Sequence, residues 1–323
     1  MQYYFAPMEG FTDSVYRNAH RKYFGAAAGQ QPDRYYAPFL SPKIDLSVDP
    51  RQLKDILPEN NPDMPLVPQI LCKDAEAFLW MAQQLQQMGY TTVNLNLGCP
   101  SGTVTAKGKG AGFLKDTYRL EMFLDEVFAK SVLPISLKTR IGMQDPCEFE
   151  PLLELYNQYP VEELIIHPRV GKAFYTGPVN MEVFDRALAE SKTPVCYNGS
   201  LYTQKQVQDF AAAHPQVKAI MLGRGLLADP ALVRKLQGGS PLEKAELRAF
   251  LDEIYEGYVQ RFGARQSAMR RMKGVWNYVL CMFDDHDKLE KQLRKLKDPA
   301  EYNAVVDAIF QRLPLRTDAK NVK

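Results

Sequence analysis

The chain has no Cys-x-x-Cys pair, and its five cysteines, Cys72, Cys99, Cys147, Cys196 and Cys281, are scattered and odd in number. That scatter argues against a disulfide framework and against a zinc site, so no metal is expected and a cytoplasmic, reducing setting fits. No run of about 18 apolar residues occurs, which counts against a membrane-spanning helix. The start, Met1-Gln2-Tyr3-Tyr4-Phe5, lacks a basic stretch followed by an apolar one, and no targeting leader is expected. No Gly-x-Gly-x-x-Gly turn follows the first apolar run, which a doubly wound dinucleotide-binding sheet would need. Net charge is only +2, so the overall balance points to no partner. One local absence is more informative: Gly257 to Phe283 contains neither Asp nor Glu.

What is present is alternation. Short apolar runs at Tyr3–Pro7, Tyr35–Phe39, Leu66–Ile70, Thr92–Leu97, Ile135–Thr139, Glu163–His167, Pro194–Asn198 and Ala219–Gly223 read as strands. Between them, Ala75–Met88, Leu120–Lys130, Glu148–Tyr159, Glu182–Glu190, Gln204–Ala213 and Leu226–Leu236 repeat apolar residues at helical spacing. Eight strands alternating with helices predict a (β/α)8 TIM barrel over residues 1–239. From about Ser240 the strand signals stop. Leu242–Phe262, Arg265–Phe283, Asp287–Leu296 and Pro299–Leu313 predict a small C-terminal helical domain, 240–323. The polar tail from Arg316 is expected to fray.

In a barrel, function sits at the carboxyl ends of the strands. The stretch Asn94-Leu95-Asn96-Leu97-Gly98-Cys99-Pro100 organises that end. Val93, Leu95 and Leu97 share one face and Asn94 and Asn96 the other, and inward amides must find partners or a ligand. Cys99 leaves the strand end beyond a glycine. A buried small thiol is the plain alternative, but such a thiol needs no pair of asparagines beside it. The other strand ends carry Ala6-Pro7-Met8-Glu9-Gly10, Pro68-Gln69, Lys138-Thr139-Arg140, His167-Pro168-Arg169, Asn198-Gly199-Ser200 and Gly223-Arg224-Gly225. Lys138 inside a barrel is costly unless paired or bound to a ligand; a Schiff base and an anionic cofactor both remain open for it. The last two turns suit a phosphate, because glycine-rich backbone presents N–H groups there. Thr103–Lys115, with Lys107 and Lys109 among glycines, reads as a mobile loop or a solvated turn.

Taken together, Ala6-Pro7-Met8-Glu9-Gly10-Phe11-Thr12-Asp13, Asn96-Leu97-Gly98-Cys99-Pro100, Lys138-Thr139-Arg140, His167-Pro168-Arg169, Asn198-Gly199 and Gly223-Arg224-Gly225 resemble the tRNA-dihydrouridine synthase family. The resemblance implies an oxidoreductase that binds FMN, takes hydride from NADPH or NADH, and reduces the C5=C6 bond of uridine in tRNA. Position by position, it implies that Pro7 and Met8 pack on the flavin ring and Gln69 hydrogen-bonds it. Lys138 would lie near the ring's pyrimidine end and His167 at its edge. Asn198, Gly199, Gly223 and Arg224 would hold the phosphate. Asn96 would bind uracil, Cys99 would protonate C5, and Arg140 and Arg169 would meet substrate or phosphate. The sequence departs from the family pattern at Asn94, Val170 and Ser200, which affects fine contacts.

Within the acid-free window stand Arg261, Arg265, Arg270, Arg271 and Lys273. They suit an RNA backbone, and Arg270, Arg271 and Lys273 are the expected tRNA contacts. Lys288, Lys291, Arg294, Lys295 and Lys297 form a second basic cluster, with Glu290 among them. On its own that cluster reads as a solvated helix face. Three rivals stand beside the main reading: an FMN-dependent barrel that reduces a free dihydropyrimidine or enone, a Schiff-base lyase using Lys138, and a non-catalytic RNA-binding module.

Overall fold

The computed structural model describes residues 1–25 and 30–322. By contacts the chain groups into two compact units. The first comprises Met1–Glu9, Asp33–Gly199 and His214–Met221. The second comprises Gly10–Pro32, Ser200–Ala213 and Leu222–Lys323.

The first unit is built on nine parallel strands: β1 (Gln2–Phe5), β2 (Arg34–Tyr36), β3 (Leu66–Val67), β4 (Gln69–Ile70), β5 (Val93–Leu97), β6 (Ile135–Arg140), β7 (Leu164–His167), β8 (Val195–Tyr197) and β9 (Ala219–Leu222). Their order is β3-β2-β1-β9-β8-β7-β6-β5-β4. The two ends of that list, β3 and β4, are successive halves of one expected strand, parted at Pro68. Proline has no N–H to give the ladder, but its carbonyl accepts from Asn94 N at 3.0 Å. Counting the halves as one strand gives the eight-stranded barrel that the alternation predicts.

Tyr4, Ala6, Tyr36, Val67, Ile165, Cys196, Ala219 and Met221 form one buried cluster contributed by the adjacent run of strands β3-β2-β1-β9-β8-β7. Beside it Glu163 is buried. Tyr4 Oη donates to its Oε1 at 3.0 Å, and Arg34 Nη1 stands 3.8 Å from its Oε2. Burial raises the Glu163 pKa from the usual carboxylate range. Helices follow the strands, and four begin on a capping side chain. Asp49 accepts from Arg51 N, Asp74 from Ala77 N, Asp116 from Arg119 N and Asn180 from Val183 N. Each such cap stabilises its helix by about 1 kcal/mol.

The second unit is helical: Ser14–Phe24, Gln204–Ala213, Arg224–Ala228, Leu232–Leu236, Lys244–Phe262, Arg265–Val279, Asp287–Lys295 and Pro299–Arg312. Phe24 packs edge-on against Phe250, and Trp276 Nε1 donates to Tyr302 Oη at 2.9 Å. Two expectations are corrected here. The helix expected over Leu226–Leu236 is two short helices, because Pro230 cannot donate to the helical ladder. The tail is pinned rather than frayed: Leu315 bridges Phe283, Arg316 N donates to Met282 O at 2.8 Å, and Lys320 N donates to Cys281 O at 2.9 Å. Lys323 lies outside the described residues. The helix Ser14–Phe24 was absent from the expected set. Its capping residue is Asp13, whose side chain accepts from Tyr16 N.

Candidate active site

The parallel register fixes the barrel mouth. Gln69 stands opposite Asn94, Asn94 opposite Ser136, Asn96 opposite Lys138, and Arg140 opposite His167. The inward amides answer one another. Asn96 Nδ2 donates to Gln69 Oε1 at 2.7 Å, Gln69 Nε2 to Asn94 Oδ1 at 2.7 Å, and Asn94 Nδ2 to Ser136 Oγ at 2.9 Å. Asn96 Oδ1 accepts from the backbone N–H groups of both Gly98 (3.0 Å) and Cys99 (2.9 Å). The side-chain carbonyl oxygen of Asn96 is therefore filled, while among the described residues one Nδ2 hydrogen of Asn96 and one Nε2 hydrogen of Gln69 remain to donate.

That amide chain places Cys99. The turn is held from the other side as well, since Ala111 N donates to Cys99 O at 3.0 Å. Gly110 has φ +56°, and a Cβ there would stand 2.8 Å from Cys99 O and 3.0 Å from Cys99 Cβ. No side chain fits that position without displacing the cysteine. Cys99 is half-buried, and burial pushes its thiol pKa up.

Lys138 is half-buried, and burial followed by the charge of Arg140 draws its pKa down to about 8. Among the described residues it has no hydrogen-bond or ion-pair partner. Arg140 is only 1% exposed and works on backbone: Nε donates to Gly98 O and Nη1 to Val170 O, both at 2.9 Å. Its guanidinium also lies over the Tyr175 ring at 5.3 Å. Arg169 donates from Nη2 to Gly177 O at 2.7 Å and from Nη1 to His167 Nε2 at 3.0 Å. Arginine can only donate, so His167 Nε2 is an acceptor and the ring's proton is on Nδ1. Asn198 Nδ2 donates to Met221 O at 2.8 Å. At Gly199 a Cβ would stand 2.1 Å from Tyr197 Oη, so this close approach also requires glycine. Pro7 and Met8 are half-buried just past β1. Sequence reasoning missed Tyr175, whose ring stacks on His167 with centroids 6.2 Å apart. Its only sequence signal is an aromatic shortly after a strand end.

In the second unit, Gly223 caps the helix Arg224–Ala228. Arg224 Nη2 donates to Ser200 Oγ at 3.3 Å and its guanidinium covers the Tyr202 ring at 5.3 Å. The acid-free window is less open than its composition implies. Arg271 pairs with Asp13 at 2.9 Å, Arg261 stands 3.8 Å from the same carboxylate, and Lys273 donates to Leu296 O and Arg294 O. Arg270 is exposed, as are Lys288, Lys291, Arg294, Lys295 and Lys297.

These features define a parallel β/α-barrel whose mouth presents amides, a thiol, and one cation that has no protein partner among the described residues. The chain belongs to the dihydrouridine synthase family, whose model matches residues 4–313. A probable tRNA-dihydrouridine synthase from Staphylococcus epidermidis is 25% identical, with 97% of this chain and 95% of that protein covered. A protein from Shewanella oneidensis named tRNA-dihydrouridine synthase B is 23% identical, covering 95% of each. Among solved structures, a variant of NCR from Zymomonas mobilis aligns with TM-score 0.51 at 14% identity, over 75% of this chain and 88% of that one. A morphinone reductase variant in complex with tetrahydroNAD aligns with TM-score 0.52 at 10% identity, over 74% and 87%. Those two likenesses show the barrel fold. Among the described residues, no helix is long and apolar enough to cross a membrane.

Proposed function

We propose that this protein is a tRNA-dihydrouridine synthase that reduces uridines of tRNA to 5,6-dihydrouridine with FMN and with NADPH or NADH as reductant. Family membership supports the reaction. The residues of the barrel mouth fit the cofactor: a half-buried ammonium without a protein partner suits an electron-rich ring, and Gln69 keeps an amide hydrogen to direct at it. FMN, when bound, supplies the hydride that reaches C6 of the uracil.

The chain's own residues supply the rest. Lys138 and Gln69 hold the ring, with Pro7, Met8 and His167 around it. The family resemblance is what assigns the phosphate to Asn198, Gly199, Gly223 and Arg224. Cys99 donates the proton that C5 gains. One hydride and one proton together saturate the C5=C6 bond. The observation that carries this assignment is the double hold of Asn96 Oδ1 on the N–H groups of Gly98 and Cys99. It fixes a thiol that burial keeps protonated at neutral pH, the state a general acid needs. A nucleophilic cysteine would need its pKa lowered instead. Asn96, Arg140 and Arg169 shape the pocket for the base. Asn96 and Arg140 do so through Gly98, and Arg169 does so through His167.

The test is anaerobic stopped-flow absorbance of pre-reduced protein mixed with unmodified tRNA. Wild type should be reoxidised by tRNA. Cys99→Ala should retain its flavin and its reduction by NADPH, and lose about 10²–10⁴ in reoxidation rate. Reoxidation of wild type by a free enone and not by tRNA would favour the small-molecule reductase. An unchanged rate in Cys99→Ala would remove the thiol from the mechanism.

A further inference from the structure

The connection from β7 to the helix Met181–Glu190 holds a residue in a conformation that its side chain disfavours. Phe174 has φ +49° and ψ −107°, and Thr176 N donates to Ala173 O at 2.9 Å. That is a type II′ turn, whose second residue stands at about +60° and −120°, a place that glycine takes at no steric cost. A bulky residue there is strained, and it persists only where the surroundings hold it. Here they do. Arg169 donates from Nε and Nη2 to Gly177 O, at 3.1 and 2.7 Å. Lys172 N donates to Met143 O at 2.9 Å, and Asn180 N to Pro168 O at 2.8 Å. The next residue, Tyr175, stacks on His167 and meets the Arg140 guanidinium, whose Nε holds Gly98 O beside Cys99. The turn is thus fixed at the rim of the reaction centre. Yet the strained ring fills no core, since Phe174 is 49% exposed. From Leu164 to Met181 the chain has no Asp or Glu, while Arg169 and Lys172 stand within that stretch.

We propose that Phe174 is a positioning residue for the RNA: its ring stacks on the base next to the uridine being reduced, and replaces the contact that this base loses when the uridine leaves the stack. The proposal rests on the tRNA reading above and adds to it the residue that holds the neighbouring nucleotide. A uridine must be splayed out of its strand to reach a ring in a barrel mouth, which leaves the adjacent base with one bare face. An exposed aromatic side chain supplies such a face, and stacking on it tolerates any base. Two features favour a base over another protein. The exposed apolar patch on this turn is Phe174 and Tyr175, whereas a protein interface takes roughly 20–30 residues a side. The stretch around it carries cations and no acid, which suits the phosphates on either side of a base. The strain points the same way. Glycine would form this turn without strain, so the turn alone does not account for a phenylalanine.

The test compares Phe174→Gly, Phe174→Ala and Phe174→Tyr in full-length, FMN-loaded protein. Phe174→Gly removes the ring and the strain together, so its thermal midpoint should equal or exceed that of wild type. Flavin content and anaerobic reduction by NADPH should match wild type in all three. In reoxidation of the pre-reduced protein, the Gly and Ala variants should need about tenfold more tRNA for the half-maximal rate, as expected for one lost base–aromatic stack. Phe174→Tyr keeps the ring and should restore the wild-type value. A purely structural turn residue would rank the variants the other way, with Gly as good as wild type and Tyr no better than Ala. A tRNA with an abasic site at one neighbour of the reduced uridine should lose a similar factor with wild type, and nothing further with Phe174→Gly. Wild-type tRNA dependence in Phe174→Gly would overturn the proposal. So would losses from the variant and from an abasic site at either neighbour that simply add. A wild-type protein that tRNA does not reoxidise would overturn the reaction assigned above and this proposal with it, a result distinct from normal reoxidation that ignores Phe174.

Discussion

At the barrel mouth, polar residues of adjacent strands answer one another. In the acid-free window of the helical unit, Arg261 and Arg271 are answered from far away. Asn96, Gln69, Asn94 and Ser136 form one hydrogen-bonded chain whose members come from neighbouring strands in register. Arg271 instead meets Asp13, a residue 258 positions earlier. Both regions look alike in the sequence, as polar residues where composition alone would not place them. They differ in what local pattern can reveal. Alternation along a strand states which side chains share a face, so a polar row is recognisable before any partner is known. A run of like charge on helices states only that the acids are missing locally. It says nothing of an acid that packing brings in, or of a backbone carbonyl such as Leu296 O that takes up Lys273.

The largest effect that would break this comparison concerns Asp13. Its carboxylate is buried, caps the helix Ser14–Phe24, accepts from Tyr258 Oη at 3.1 Å and pairs with Arg271. Asp13→Ala removes a cap and leaves a partly buried guanidinium without its partner, for a loss of about 3 kcal/mol in urea unfolding. If Asp13→Ala costs less than about 1 kcal/mol, the basic window is not braced from within, and its charges return to the surface account.

A smaller effect sharpens the other half. Asn96→Ala leaves the N–H groups of Gly98 and Cys99 without their acceptor, at a cost of about 2 kcal/mol. Reoxidation by tRNA should slow at least tenfold. Asn96→Asp keeps the accepting oxygens and should restore the placement of Cys99 better than Ala does. Equal losses in both variants would mean that the amide hydrogen, and not the backbone hold, is what the reaction uses.

Much of the barrel was legible because its signals are local. Every expected strand exists, and the inward-facing sets Asn94/Asn96 and Ser136/Lys138/Arg140 lie where alternation puts them. What was not legible lies at prolines and at long range. Pro68 divides one strand, and Pro230 divides one helix. The tail is held by Phe283 and Met282 through backbone pairing that no side-chain pattern announces. At the site, residue types were readable but their commitments were not. Arg140 is spent on Gly98 O and Val170 O, and His167 is fixed in one tautomer by Arg169. Both contacts depend on loop carbonyls or side-chain rotamers that spacing cannot specify.

Lys138 gives a pH prediction with a definite sign. An unfolded lysine keeps its proton to about 10.5, whereas the folded one releases it near 8. Between those values the unfolded chain binds more protons, so the flavin-free fold gains stability as pH rises through that window. Flavin binding runs the other way. If the ammonium holds the ring, FMN affinity of the stripped protein should be level below pH 8 and fall above it. Fluorescence titration across pH 6.5–9.5 checks this, with Lys138→Met expected to flatten the profile. A flat profile in wild type would detach the ammonium from the flavin.

The smallest effect separates charges that the sequence grouped together. Arg270, Arg271 and Lys273 look equivalent in a row, but only Arg270 is exposed, while Arg271 and Lys273 brace the helical unit. A residue that neutralises a phosphate releases a counterion, so its loss should lower the log–log salt slope of tRNA binding by roughly 0.7–0.9. Arg270→Ala should do this and leave urea stability within about 0.5 kcal/mol of wild type. Arg271→Ala should do the reverse, lowering stability through Asp13 with little change in slope. Neutralising the exposed Lys288, Lys291 and Lys295 together should lower the slope further than Arg270→Ala does, because those side chains have no competing partner among the described residues. A slope that falls equally for Arg270→Ala and Arg271→Ala, with both proteins as stable as wild type, would show that the Asp13 pair opens on RNA. The two arginines would then be one phosphate-binding pair, as their adjacency in the sequence first implied.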